Sequence, residues 1–305
     1  MKINKFKYSL QKMFYSLNSL NTKDLTKRFL YILKSERLNE LAINCKDKGI
    51  SNEKYCDNEI IVSLTTYGER IRTVHLSIES IMQQTVKPNK IILSISEELK
   101  SSNLPQVLLN QQKRGLEINF CKDIRSYTKL IPALKMYPTA SIVTIDDDHL
   151  YNYDLIENLI NEHKKNPNLI LAARIHRMKI ISNNKLEKYN KWLERYEGQD
   201  VSPLNFPTGI GGVLYPPKCF NEEVFNEEVF FSICKYADDV WFKAMALLNG
   251  TMSKKLFIIE ETGADNYCID NTQKVTLSHI NRDKNMNDIQ IKAVFDKYDL
   301  YKKLI

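Results

Sequence analysis

The sequence predicts an α/β protein, with a mostly parallel central sheet flanked by helices and an N-terminal helical extension in front of it. Three observations predict this. Short apolar runs at 60–64, 90–95, 116–120 and 140–145 are rich in β-branched residues and read as buried strands. Segments with helical periodicity separate them, and strands alternating with helices at this spacing make βαβ units. The first and fourth runs end in polar clusters, Thr65-Thr66-Tyr67 and Asp146-Asp147-Asp148. Open α/β sheets bind ligands along the edge formed by the carboxyl ends of their strands.

Size and composition bound the rest. A chain of 305 residues holds one large α/β domain with appendages or two modest domains. A hydrophobic content of 43% with 27% charged residues is that of a soluble globular protein. The net charge of +7 agrees with a polyanionic or membrane-surface partner without requiring one. Six cysteines show no CxxC pair and no zinc-type Cys/His spacing, so they read as reduced thiols. No apolar run approaches the roughly 20 residues of a membrane span, and the first 20 residues do not read as a signal peptide. The expectation is a soluble or peripheral protein. Nucleic-acid binding is not expected, because the basic residues cluster in the N-terminal extension and no such motif is present.

Residues 1–57 read as a basic helical extension. Phe6, Leu10, Met13, Phe14 and Leu17 form an apolar stripe at helical spacing beside a cationic face. Residues 1–37 read first as an extension packed on the main domain or on a second subunit in a homodimer, with its lysines solvated, and second as a helix that contacts an anionic membrane. Residues 46–57 are polar and read as a linker. The catalytic domain is expected over 58–262, with helices near 73–84, 103–113, 128–136 and 153–165, and a further strand at 168–173. Residues 174–201 are polar and aromatic (Tyr189, Trp192, Tyr196) and look like an insertion or lid. The stretch FPTGIGGVLYPP holds Gly209, Gly211 and Gly212, which allow close backbone approach. It lacks the lysine-serine ending of a phosphate loop. A helix over 235–250 opens with Asp238-Asp239 and stops at Gly250. A last strand is expected at 255–259, and residues 263–305 form a helical tail containing His279.

Chemistry concentrates in two places. Three consecutive carboxylates repel one another, and burying one without a partner costs several kcal/mol. Asp146-Asp147-Asp148 therefore needs a compensating cation, and the alternate positions Asp146 and Asp148 suit a hard divalent ion such as Mg²⁺ or Mn²⁺. A solvated acidic turn capping the next helix is the simpler alternative. The pair Asp238-Asp239 opens a helix, where capping and the helix dipole alone would favour acids. The dipole would also lower their pKa values and make them weaker bases.

In order and spacing these pieces resemble the family 2-like glycosyltransferases of the GT-A fold, over residues 59 to 260. The first strand ends in Ser63-Leu64-Thr65-Thr66-Tyr67, with Arg70-Ile71 following as in a bacterial subgroup. The family's D-x-D motif matches Asp146-Asp147-Asp148, and its later acidic pair matches Asp238-Asp239. The second strand ends in Ser94-Ile95-Ser96, where the family often carries an aspartate. The resemblance implies a metal-dependent inverting transferase that uses Mn²⁺ or Mg²⁺. It would move a sugar from a nucleotide-sugar, such as a UDP-sugar, to a saccharide or glycolipid acceptor. The setting implied is the bacterial cytoplasm, at the inner face of the membrane, in capsule or lipopolysaccharide synthesis. Donor binding would fall to Thr65, Thr66, Tyr67, Arg70, Lys129, Asp146 and Asp147. The metal would fall to Asp148, Asp146 and His279, and the acceptor to Gly211, Gly212 and Trp241. Asp239 would be the base, with Asp238 beside it. A retaining transferase on the same fold and a metal-dependent nucleotidyl- or phosphotransferase are the alternatives.

Overall fold

The computed structural model describes residues 22–101, 103–181, 185–257, 267–270, 272 and 285–304. Its centre is a seven-stranded sheet in the order β12-β6-β11-β4-β1-β2-β3. The strands are β1 (Ile60–Thr65), β2 (Lys90–Ser96), β3 (Leu116–Cys121), β4 (Ser141–Thr144), β6 (Ile170–Ala172), β11 (Val213–Tyr215) and β12 (Ser253–Lys255). β1 pairs in parallel with β2 and β4, β2 with β3, and β12 with β6. Only β11 runs antiparallel, between β4 and β6. The expected α/β class and mostly parallel sheet are observed.

The uninterrupted apolar runs of β1, β2 and β4 follow from cover on both faces of the sheet. Side chains alternate between two cores. Ile61, Ile92, Ile142 and Val213 face helix α7 (Asp238–Asn249). Ile60, Val62, Leu64, Leu93 and Val143 face α2 (Val74–Met82) and α5 (Leu155–Lys165). Helices α3 (Gln106–Lys113) and α4 (Ile131–Met136) complete the crossovers. α7 stops at Gly250, whose φ of 80° is a left-handed cap that suits glycine.

The first described helix, α1 (Thr22–Asn44), lies on the domain through Tyr31, Leu38 and Ala42. The polar segment after it is docked rather than free: Gly49 N–H donates to Arg114 O (2.8 Å) and Ser51 N–H to Pro88 O (2.9 Å). The Arg114 guanidinium meets the Glu79 carboxylate with two bonds (2.8 and 2.9 Å), both groups buried. Residues 174–201 do not form a loose lid. β7 (Ile175–Arg177) pairs with β10 (Asn205–Pro207), and Trp192 is buried against Tyr189 and Phe206. Between these lies a two-stranded ribbon, β8 (Ile180–Ile181) with β9 (Lys185–Leu186). A third ribbon joins β5 (His149–Leu150) to β13 (Tyr267–Cys268). α6 (Glu227–Ile233) and α8 (Met286–Tyr298) pack near α7. The sequence places the last sheet strand two residues late, because it is the parallel register of Ser253–Lys255 on β6 that defines it.

Candidate active site

The carboxyl ends of β1 and β4, the short helix ending at Lys129 and the start of α7 meet at one edge of the sheet. Each aspartate of the triplet has its own protein cation or donor. Asp146 Oδ1 lies 3.3 Å from Lys129 Nζ. Asp147 takes Arg70 Nη1 at 2.8 Å and the Thr66 hydroxyl at 2.6 Å. Asp148 Oδ2 lies 3.2 Å from the same guanidinium, and its Oδ1 lies 2.5 Å from His149 Nδ1. The compensating charge expected of a metal is thus supplied in large part by Arg70 and Lys129. Burial opposes ionisation of Asp147 and raises its pKa, against the pull of Arg70.

Lys129 is the hinge of the cluster. Its buried ammonium spans Asp146 and Asp238, the latter at 3.0 Å from Nζ. Burial works against the charge, yet Asp146, Asp238 and Asp239 together raise its pKa well above the ordinary lysine value. A lysine expected to reach the donor is instead the tie between the two acidic motifs.

Asp238 and Asp239 are the first two residues of α7, and the position before them is Ala237. No side chain caps this helix, so the simple capping role is not what places them. Asp239 Oδ2 accepts the Gly209 N–H at 3.1 Å. The dipole argument predicts a lowered pKa for this carboxylate. Burial and the adjacent Asp238 charge push it up instead, to about 7, with Lys129 opposing. Desolvation and a like charge outweigh the helix terminus here. Arg174, half-buried, donates through Nε to Thr208 Oγ1 (2.7 Å) and faces Asp239; burial lowers its pKa. Behind Asp239 a small cavity is lined by Tyr215, Phe242, Lys243 and Ser253. Burial lowers the Lys243 pKa to about 7, and its ammonium has no hydrogen-bond partner among the described residues.

Gly209 is the residue of the glycine-rich stretch that enters the cluster. A Cβ there would stand 2.8 Å from Lys129 Nζ, 3.4 Å from Asp239 Oδ1 and 3.5 Å from Asp146 Oδ1. Gly211 and Gly212, expected to touch the acceptor, are buried at φ values of 102° and 100°. A Cβ on Gly212 would meet Leu155, not the carboxylates. Their role is the turn into β11. Trp241, also expected to touch the acceptor, is fully buried; its Nε1 donates to Val224 O (3.1 Å) and its ring meets Phe230 and Tyr298. The helical period puts it on the core face of α7, two residues past Asp239.

Of the remaining donor candidates, Thr66 orients Asp147 and Thr65 donates its hydroxyl to Ser94 O (2.8 Å). Tyr67 is exposed, with the Arg70 guanidinium 5.4 Å from its ring centre. For a divalent cation, ligand atoms of Asp148, His149 and Cys268 lie within 4.8 Å of one another. The Asp148 carboxylate and a neutral His149 imidazole fit an ion such as Mn²⁺, whereas the Cys268 sulfur is a softer ligand than Mn²⁺ or Mg²⁺ prefers. Asp146 is turned to Lys129 rather than into that group, and an ammonium there works against its expected metal-ligand role. His279 lies outside the described residues. His149, one residue past the triplet, was legible as a ligand type but not as a partner. Asp148 raises the His149 pKa to about 10 despite burial, so an ion bound there would have to displace the imidazole proton. Cys268 comes opposite it only through the β5–β13 register.

No protein-family model matches the chain, and no curated protein matches it. Among solved structures it is similar to S. aureus TarS 1-349, with 11% identity over 78% of this chain and 72% of that one, at a TM-score of 0.45. The same protein in complex with UDP gives 13% identity over 76% and 65%, at 0.45. A mannosyltransferase, PcManGT from Pyrobaculum calidifontis in complex with GDP-Man and Mn²⁺, gives 13% identity over 88% and 70%, at 0.47. Likeness at this level concerns the course of the chain and assigns no residue a role.

Proposed function

We propose that the chain is an inverting glycosyltransferase that moves a sugar from a nucleotide-sugar to a hydroxyl of a saccharide or glycolipid. The observation that carries this reading is the convergence of both acidic motifs on Lys129, with Asp239 half-buried and its pKa raised to about 7. A base poised near neutrality accepts a proton from an alcohol as its oxygen bonds to the anomeric carbon. That oxygen bonds from the face opposite the nucleoside diphosphate, whose bond to the anomeric carbon breaks as the new one forms, so the centre inverts. Gly209 N–H holds the Asp239 carboxylate in place, and Lys129 bridges Asp238 and Asp146 beside it. Tyr67 offers the nucleoside base a flat exposed face. Arg70 holds Asp147 and Asp148 in register.

Asp148 and His149 would hold a divalent ion such as Mn²⁺ or Mg²⁺, with Cys268 within reach. Bound there, it would stabilise negative charge on the departing diphosphate as a Lewis acid. No cysteine in the described residues is paired, which fits the proposed cytoplasmic setting. The test is product stereochemistry and its dependence on the base. Incubation with a panel of UDP- and GDP-sugars should give a product of inverted anomeric configuration. Asp239→Asn should lower its rate by about 10²–10⁴-fold, the usual worth of general base catalysis. A product with retained configuration, or an unaffected Asp239→Asn enzyme, would reject the assignment.

A further inference from the structure

We propose that His149 Nε2 and Cys268 Sγ ligate a borderline-soft divalent cation of the Zn²⁺ kind. Asp148 stands behind the histidine as its orienting carboxylate. His149 and Cys268 are direct partners across the antiparallel pairing of β5 with β13. The backbone closes that ribbon without help from either side chain, since Ile269 N–H donates to Asp148 O (2.7 Å). Leu150, Tyr267 and Ile269 anchor it in a small core with Tyr31, Leu38 and Leu76. His149 is buried and Cys268 is exposed, so the pair has one side held by protein and one side open to an incoming ion.

The distances suit a chelate. Cys268 Sγ lies 3.7 Å from His149 Nε2. A tetrahedral Zn²⁺, with Zn–N of about 2.0–2.1 Å and Zn–S of about 2.3 Å, holds its nitrogen and sulfur about 3.6 Å apart. The other ring nitrogen, Nδ1, lies 2.5 Å from Asp148 Oδ1. In metal sites that carboxylate–histidine pairing fixes the tautomer and turns Nε2 toward the ion. Charge also favours a sulfur ligand. Asp148 and Asp146 face Arg70 and Lys129, so a hard ion that relies on carboxylate charge meets a site already partly neutralised. A thiol that loses its proton on binding brings a negative charge of its own. Thiolate and imidazole together favour Zn²⁺ over Mn²⁺ and Mg²⁺, which take oxygen ligands. Binding releases the thiol and imidazole protons and therefore tightens as pH rises. This site overlaps the one proposed above for Mn²⁺ or Mg²⁺ through His149, so the two ions exclude each other. It does not depend on whether sugar is transferred.

The experiment is titration of the reduced, metal-free full chain with Co²⁺, read by absorbance. A thiolate bound to Co²⁺ gives a charge-transfer band in the near ultraviolet, and a tetrahedral site gives strong visible bands. A single Co²⁺ per chain is expected to develop the charge-transfer band. Equimolar Zn²⁺ should remove it, and about a hundredfold excess of Mg²⁺ should leave it. Cys268→Ser should abolish the band. That side chain is exposed, so the circular dichroism and the metal-free melting temperature should stay as in the wild type. Asp148→Asn should weaken Co²⁺ binding about 10–100-fold and keep the band at saturation, as a carboxylate behind the ligand does. Zn²⁺ should raise the melting temperature of the wild type and not that of Cys268→Ser. The proposal is overturned if no charge-transfer band appears, if the band survives in Cys268→Ser, or if Mg²⁺ removes it as readily as Zn²⁺. An intact band without sugar transfer supports this site and counts against the transferase reading; transfer without the band does the reverse.

Discussion

Asp239 shows how a single carboxylate is tuned by what surrounds it. Its folded pKa is raised to about 7 while the unfolded chain releases that proton near the ordinary aspartate value of about 4. Between those values the folded state holds a proton the unfolded state has lost, so this group makes stability fall as pH rises through the window. Asp239→Asn should therefore melt higher than wild type above about pH 7, with the difference vanishing below about pH 4. Thermal scans across pH measure this, and the rate of the wild-type enzyme should climb through the same upper limb. Lys129 makes the opposite case. Lys129→Met leaves Asp146 and Asp238 facing each other without the ammonium between them. A loss of about 3–5 kcal/mol at neutral pH is expected by denaturant titration. An unchanged midpoint would mean that water, not Lys129, neutralises the pair.

At the scale of elements, the paired ends of α2 and α3 are tied by a buried ion pair. Arg114 follows α3 and reaches Glu79 on α2, and its Nε also donates to Asp47 O (2.8 Å) in the segment leading from α1. One guanidinium therefore holds three stretches of chain. Arg114→Met should cost about 3–5 kcal/mol, since it strands a carboxylate with no exposure. Adding Glu79→Leu should restore much of that loss, because the stranded charge is gone. Equilibrium unfolding of the single and double variants distinguishes a pair that fixes geometry from one that merely fills space. The elements themselves were largely legible. Strands β1, β2 and β4 announce themselves as apolar runs because both of their faces are covered, and α5 and α7 by their periodicity. The short ribbons β5–β13 and β8–β9 were not, since two-residue strands carry no period.

For the molecule as a whole, the site joins six parts of the sequence that lie far apart: 65–70, 129, 146–149, 209, 238–239 and 268. A ligand spanning them should stabilise the entire fold. UDP or GDP with Mn²⁺ at about a hundred times its Kd should add about 2.7 kcal/mol. Asp148→Ala or His149→Ala should remove the metal-dependent part of the melting shift and leave the unliganded protein folded. A shift that persists in both variants would place the ion elsewhere. Among the described residues no helix is long and apolar enough to cross a bilayer.

The sequence by itself determined the sheet, its helices and the two acidic motifs, because these depend on local pattern: apolar runs, helical period and consecutive charges. It also placed Asp146–148 and Asp238–239 at element ends. The tertiary structure decided which groups meet. Lys129 joins the two motifs, Gly209 rather than Gly211 or Gly212 enters the cluster, and Trp241 turns into the core. It also reversed the expected direction of the Asp239 pKa. Charge compensation and desolvation depend on distances between residues remote in the chain, and no local pattern encodes those.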